Sequence, residues 1–220
     1  MRLLLTGFYD WRDLGAPPAL DRCRDNPSCR LTRGPLPPPL AAEAARRGAV
    51  LDVVNLPVTW GAAERLDLSA YDAALHLGLG VYDRHDELWV EEGAWNARRG
   101  VDAAGAGRDE RIAPAGAEVL PPTPRVAARL AGLGALALPG GFRALPKPAR
   151  ASNAYLCNET HFRALAAAHA RGAAPRPLDV YFVHLPYPPP DAGEVGEGER
   201  ALAAAVGALA RWLWWGEGAP

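Results

Sequence analysis

Short apolar runs alternate along this chain with stretches of helical periodicity. Arg2–Thr6 is an apolar run stopped by Gly7 and reads as a first strand. Ala49–Leu56 and Tyr71–Leu77 read as the next two, and the latter is apolar enough to be covered on both faces. Gly78-Leu79-Gly80 breaks it. Glu87–Trp95 alternates loosely, as a strand near a sheet edge does, while Ala135–Leu138 and Leu178–His184 are further strand candidates. Helices are predicted over Leu40–Arg47, closed by Gly48, and over Pro124–Leu130, Asn158–Ala170 and Glu199–Trp215. In the last of these, Leu202, Val206, Leu209 and Leu213 recur at helical spacing. Residues 12–39, with Ala16-Pro17-Pro18, Asn26-Pro27-Ser28 and Pro35-Leu36-Pro37-Pro38-Pro39, form a long connection, and Pro139–Arg150 a second loop. Strands alternating with helices predict an α/β fold with a mostly parallel central sheet covered on both faces. Reactive groups in such sheets gather at the carboxyl ends of strands, where Thr6-Gly7-Phe8, Gly78-Leu79-Gly80 and His184 fall.

The length, 220 residues, suits a single domain over 1–220, and 49% apolar residues suffice for a core. A net charge of −1 argues against nucleic acid or an anionic membrane as the main partner. No apolar run reaches the roughly 18 residues of a membrane span. Met1–Gly7 has a charge and an apolar run, but one too short for a secretory signal, so the expected location is cytoplasmic. Three cysteines, Cys23, Cys29 and Cys157, make no disulfide framework. Cys23 and Cys29 lie in a polar loop and read as two exposed thiols, with a bridge under oxidation as the alternative.

Chemistry concentrates in three places. Cys157 stands where a helix begins, in Ser152-Asn153-Ala154-Tyr155-Leu156-Cys157-Asn158, and His184 closes the strand Phe182-Val183-His184. Glu91, in Leu88-Trp89-Val90-Glu91-Glu92, supplies a carboxylate that can orient an imidazole. Nucleophile, base and orienting acid form a triad defined by roles rather than by chain order. A thiol at a helix N-terminus beside an imidazole is activated, since both favour the thiolate, and the helix amides offer part of an oxyanion hole. Taken alone, Cys157 fits a buried structural thiol and His184 a satisfied core histidine. Glu92 competes with Glu91, but neighbours on a strand point to opposite faces, so one carboxylate at most faces the site. His161 and His169 read as surface residues of the helix, His85 as part of a solvated loop, and His76 as core. No pair has metal-ligand spacing, and neither metal nor cofactor is expected.

Six short stretches, in order, resemble the pyroglutamyl peptidase I (pyrrolidone-carboxylate peptidase) family. They are Thr6-Gly7-Phe8, Asn26-Pro27-Ser28, Leu56-Pro57-Val58, Glu91 with Ala94-Trp95-Asn96, Tyr155-Leu156-Cys157-Asn158, and Val183-His184-Leu185-Pro186. The resemblance implies a three-layer α/β/α sandwich and a cysteine exopeptidase removing N-terminal pyroglutamyl residues from peptides. It implies Cys157 as nucleophile, His184 as base and Glu91 as orienting acid, and a homodimer or homotetramer. It also implies a neutral lactam pocket walled by Phe8, Trp11, Asn26, Tyr155 and Leu156; plain core is the other reading of these side chains.

The departures fall on the substrate side. Tyr9-Asp10 replaces the family's Glu-Pro, Trp11 its second Phe, and Arg12-Asp13 its Gly-Gly. Trp89 stands where the family has Ser or Thr, Glu92 where it has a basic residue, Val81–His85 in place of glycines, and Ser152-Asn153 in place of Ala-Gly. Two other readings stay open: a cysteine amidase for another small N-acyl or cyclic group, and a non-catalytic homologue that binds a peptide or small molecule.

Overall fold

The computed structural model describes residues 1–10, 26–172, 175–187 and 195–216. Its centre is a six-stranded sheet. β1 (Arg2–Phe8), β2 (Val50–Leu56), β3 (Ala73–Leu79), β4 (Glu87–Glu91), β9 (Arg143–Lys147) and β10 (Asp179–Leu185) lie in the order β2-β1-β3-β10-β4-β9. Four strands run parallel, β4 is antiparallel to β10, and β9 is parallel to β4. Two small antiparallel sheets stand apart, β5 (Ala94–Trp95) with β8 (Val119–Leu120) and β6 (Arg98–Val101) with β7 (Gly107–Glu110).

Strand alternation divides the core. Leu3, Leu5, Leu75, Leu77, Tyr181, Val183 and Leu185 point to one face and pack with Leu31, Leu40, Val126, Leu130, Leu202, Val206, Leu209 and Leu213. Those partners come from α1 (Pro27–Arg33), α2 (Pro37–Arg46), α3 (Pro124–Leu130) and α5 (Val195–Trp215). The opposite face carries Phe8, Val180 and Phe182, against Leu156, Phe162 and Leu165 of α4 (Leu156–Arg171). This is the expected three-layer α/β/α arrangement with a mostly parallel central sheet. Among the described residues no helix is long and apolar enough to cross a membrane.

Several expectations are corrected. The connection expected over 12–39 holds α1 and the start of α2. Asn26 caps α1 by accepting from the Ser28 amide at 3.0 Å, and Pro27 follows at a position with no amide to lose. Likewise Pro37-Pro38-Pro39 form the first turn of α2, where helix amides have no partner anyway. No strand spans Ala135–Leu138; the strand is β9, inside the supposed loop. Its Pro146 is tolerated because β9 is the sheet edge. Glu87–Trp95 is not one strand but β4 and β5, broken at Gly93, whose φ of 132° an L side chain resists. Cys29 is not an exposed thiol; it is fully buried and disulfide-bonded. Cys23 lies outside the described residues.

Candidate active site

Two rows of residues cross the α4 face of the sheet. Register pairs His76 with Phe182 and Gly78 with His184, and His184 with Trp89 in turn. Trp89 pairs with Leu145 and Glu91 with Lys147. Because side chains alternate, His76, Gly78, Phe182, His184, Trp89, Glu91 and Lys147 all face α4. Glu92 lies past the end of β4 and is exposed, with its amide on the Lys147 carbonyl at 2.7 Å. The sheet thus selects Glu91.

Glu91 is buried and its Oε1 accepts from His184 Nδ1 at 2.9 Å. That fixes the proton on Nδ1 and leaves Nε2 for Cys157, the other side chain that acts on the His184 ring. Burial, the largest influence on His184, favours the neutral ring. The hydrogen bonds and charges of Cys157 and Glu91 outweigh it and raise the imidazole to about 9. The ring is therefore protonated at neutral pH, the counter-charge a thiolate needs. Asn153 Nδ2 also donates to Glu91 Oε1, at 3.3 Å.

Cys157 is the second residue of α4 and half-buried. The first hydrogen bond of the helix runs from the Glu159 amide to the Tyr155 carbonyl at 3.0 Å. The amides of Leu156, Cys157 and Asn158 precede it and have no carbonyl partner within the helix, so they can bind a developing anion. Asn158 locks this end of α4 to β5. Its Oδ1 accepts from the Trp95 amide at 2.7 Å, and its Nδ2 donates to the carbonyls of Trp95 and Ala97, each at 2.8 Å.

Gly78 makes the close approach of Cys157 to the sheet feasible. A Cβ there would lie 2.7 Å from Cys157 Sγ and 2.8 Å from Phe182 Cζ. We expect Gly78→Ala to push the sulfur off His184 and to slow alkylation of Cys157 by iodoacetamide roughly tenfold or more. Unchanged alkylation, followed by mass spectrometry, would show that the sulfur has room to move.

A cleft of about 330 Å³ opens over Cys157, His184 and Glu91, and is also lined by Val81, Tyr82, Trp89, Arg150, Asn153 and Tyr155. Of the expected pocket residues, Tyr155 is at the cleft, its ring edge-on to Trp60 at 5.3 Å and its hydroxyl donating to the Val101 carbonyl at 2.8 Å. Phe8 and Leu156 do not line it; they are buried together with Leu56, Ala62 and Phe182 in an apolar cluster beside the sulfur. Asn26 is also buried, with Nδ2 donating to the Tyr9 carbonyl at 3.0 Å, so its side chain is occupied by the α1 cap and the end of β1. Trp11, Arg12 and Asp13 lie outside the described residues.

Sequence reading missed three neighbours. Asn158 was visible as an amide next to the cysteine. Tyr82 and Trp89 were visible only as departures; the structure stacks them at 3.8 Å. His161 is not a surface residue: it is 2% exposed, its ring 5.7 Å from Phe182, with neither nitrogen hydrogen-bonded. Burial, helped by the charges of His76 and His184, holds it down to about 3. His76 is core as expected, hydrogen-bonded to Thr6 Oγ1 at 2.8 Å and held down to about 4 by burial. Both histidines fold neutral, below their unfolded value of about 6.5. Their contribution to stability is present above about pH 6.5 and is lost as pH falls through about 4 for His76 and about 3 for His161. A melting temperature that drops over that interval, and drops less in His161→Met, is the expected result of a thermal scan against pH.

No protein-family model and no curated protein matches the chain. Solved structures do. A mutant pyrrolidone carboxyl peptidase from Pyrococcus furiosus is 26% identical with a TM-score of 0.61, over 86% of this chain and 82% of that one. Pyrrolidone carboxyl peptidase from Thermus thermophilus is 27% identical with a TM-score of 0.59, over 93% of this chain and 98% of that one.

Proposed function

We propose that this chain, a diverged relative of the pyrrolidone carboxyl peptidases, is a cysteine exopeptidase that hydrolyses the bond after an N-terminal pyroglutamyl residue. Likeness to those enzymes over most of the chain supports a peptidase. The observation that carries the finer reading is the chain of contacts from Glu91 to His184 to Cys157 beneath an open cleft. In this reading the proton on His184 Nε2 is the one given up by the thiol, which leaves a thiolate beside the imidazolium. The Cys157 sulfur attacks the pyroglutamyl carbonyl carbon, and the carbonyl oxygen becomes an oxyanion facing the first amides of α4. Collapse breaks the C–N bond, and His184 returns its proton to the departing amine. A thioester to Cys157 remains. Water then gives a proton to His184 and attacks the thioester carbonyl, which releases pyroglutamate and restores the thiol. Glu91 fixes the tautomer and stabilises the imidazolium without itself accepting the proton.

The Tyr82–Trp89 stack favours a second reading, a cysteine amidase for another small N-acyl group, because it adds bulk at the cleft. One assay separates the two. Purified protein is incubated with a pyroglutamyl-coumarinylamide, and release of fluorophore supports pyroglutamyl specificity. No release, with Cys157 still alkylated fast at neutral pH, supports the amidase. No release and a sluggish thiol refute both.

A further inference from the structure

The part of the cleft built around Tyr82 and Trp89 is charged in a way the reaction itself does not use. The Tyr82 ring lies against Gly80, where any Cβ would collide with it. Its hydroxyl meets the carbonyls of Glu87 at 2.8 Å and His184 at 3.0 Å. The rings of Tyr82 and Trp89 are 10° from parallel, and Trp89 Nε1 donates to Glu87 Oε2 at 2.8 Å. Both polar ends are thereby occupied within the protein.

Two cations gather on this indole. Lys147 Nζ lies 4.4 Å from the Trp89 ring centroid and the Arg150 guanidinium carbon 5.6 Å from it. Lys147 is half-buried and Arg150 is exposed at the cleft. Neither pairs with a carboxylate among the described residues, in a chain whose other arginines so often do. Glu91 is the one carboxylate among the lining residues, and His184 and Asn153 occupy it. The same cleft is also lined by two apolar surfaces, Val81 at 89% exposure and Tyr155 at 37%.

We propose that this wall selects substrates with a carboxylate on the leaving-amine side of the scissile bond, held by Arg150 and Lys147 while the adjoining aliphatic part rests on Val81 and Tyr155. The inference builds on Cys157 as nucleophile and a pyroglutamyl acyl group. A pyroglutamyl ring is uncharged, so two unpaired cations have no use on the acyl side; they fit an acidic residue, or a short peptide's own C-terminus, beyond the bond. Cations on an aromatic ring keep their charge while losing some freedom, so an arriving carboxylate meets a partly ordered pair.

The test compares kcat/KM for four substrates: pyroglutamyl-glutamyl amide, pyroglutamyl-glutamine with a free carboxylate, pyroglutamyl-glutamine amide and pyroglutamyl-lysyl amide. Released product is followed by chromatography. The first, the second or both should exceed the neutral amide by about fivefold, the scale of a partly exposed ion pair, with the lysyl amide slowest. Which of the first two leads identifies a side-chain or a terminal carboxylate. The preference should collapse in K147Q/R150Q and in about 1 M salt, where charges are screened within roughly 3 Å. Equal rates for all four substrates would overturn the proposal. Should none be cleaved, the pyroglutamyl reading fails by itself, and alkylation of Cys157 by anionic iodoacetate relative to neutral iodoacetamide still tests the wall. A ratio several-fold higher in the parent than in K147Q/R150Q, and falling with salt, supports it; equal ratios refute it.

Discussion

Cys157→Ala is expected to abolish hydrolysis of a pyroglutamyl amide while leaving the fold intact. No other described side chain can take over the attack, because Cys157, at the start of α4, is the nucleophilic group that acts on His184. Removing the nucleophile of a triad leaves only the residual help of oxyanion donors and binding, which is slower by about 10⁶-fold in well-studied hydrolases. The substitution deletes one half-buried sulfur that already crowds Gly78, so melting should change little. The measurement is fluorophore release by parent and variant side by side, with a thermal melt of each. Parent-like turnover in the variant would eliminate the cysteine mechanism. A variant that is inactive yet still binds pyroglutamyl peptides supports it.

Glu91→Gln should produce the second largest loss. The carboxylate accepts from His184 Nδ1 at 2.9 Å and is one of the two groups that raise the imidazole to about 9 against its burial. An amide keeps the shape but not the charge. It also offers an N–H to the ring, which favours the wrong tautomer. A fall in kcat of about 10²- to 10⁴-fold follows from the cost of mis-orienting a triad histidine. The pH profile should move as well. On the proposed mechanism, His184 in the parent remains a proton donor for the leaving amine until pH rises through about 9; in the variant that limit lies lower. The same linkage acts on stability. A group whose folded value is raised stabilises the protein fully below its unfolded value, about 6.5, and loses that contribution as pH rises through about 9. The parent should therefore lose stability between about pH 6.5 and 9, and the variant less so. An unchanged kcat and alkaline limit in Glu91→Gln would show that another group orients His184.

Three substitutions separate contacts from chemistry. Gly78→Ala moves the sulfur, Glu91→Gln alters the partner of its partner, and Cys157→Ala removes it. If all three variants melt like the parent yet order themselves by loss of reactivity, the chain of contacts from carboxylate to thiol is functional rather than a means of burying polar groups.

Much of this was legible from residues alone, for local reasons. β1, β2, β3, β10 and the helices α3, α4 and α5 follow from apolar runs and helical spacing, because period determines which side of an element meets the core. Alternation also made Glu91 and Glu92 mutually exclusive, and a cysteine at the head of a helix was a chemical signal before any fold existed. Where local signals failed, position in the assembled sheet overrode them. Pro146 reads as a strand breaker, but an edge strand has a side with no partner to lose. His161 reads as a surface residue of its helix, yet α4 is packed from the sheet and from β5, β6 and β8, so little of its circumference reaches water. Phe8, Asn26 and Leu156 sit in stretches that look like pocket, but their side chains turn into the core and the α1 cap.

The sequence by itself determined the alternation of elements, the separation of the sheet's two faces, and the three residue types able to act as nucleophile, base and acid. The resemblance already pointed to Glu91 rather than Glu92; only the tertiary structure decided that Glu91 meets His184, that Asn153 and Asn158 brace the pair, and that Tyr82, Trp89, Lys147 and Arg150 converge on one wall. The reason is range. Hydrophobic period acts over a few residues and is written in neighbours, whereas the site is assembled by strand order and register, which bring β4, β9 and β10 together from distant parts of the chain.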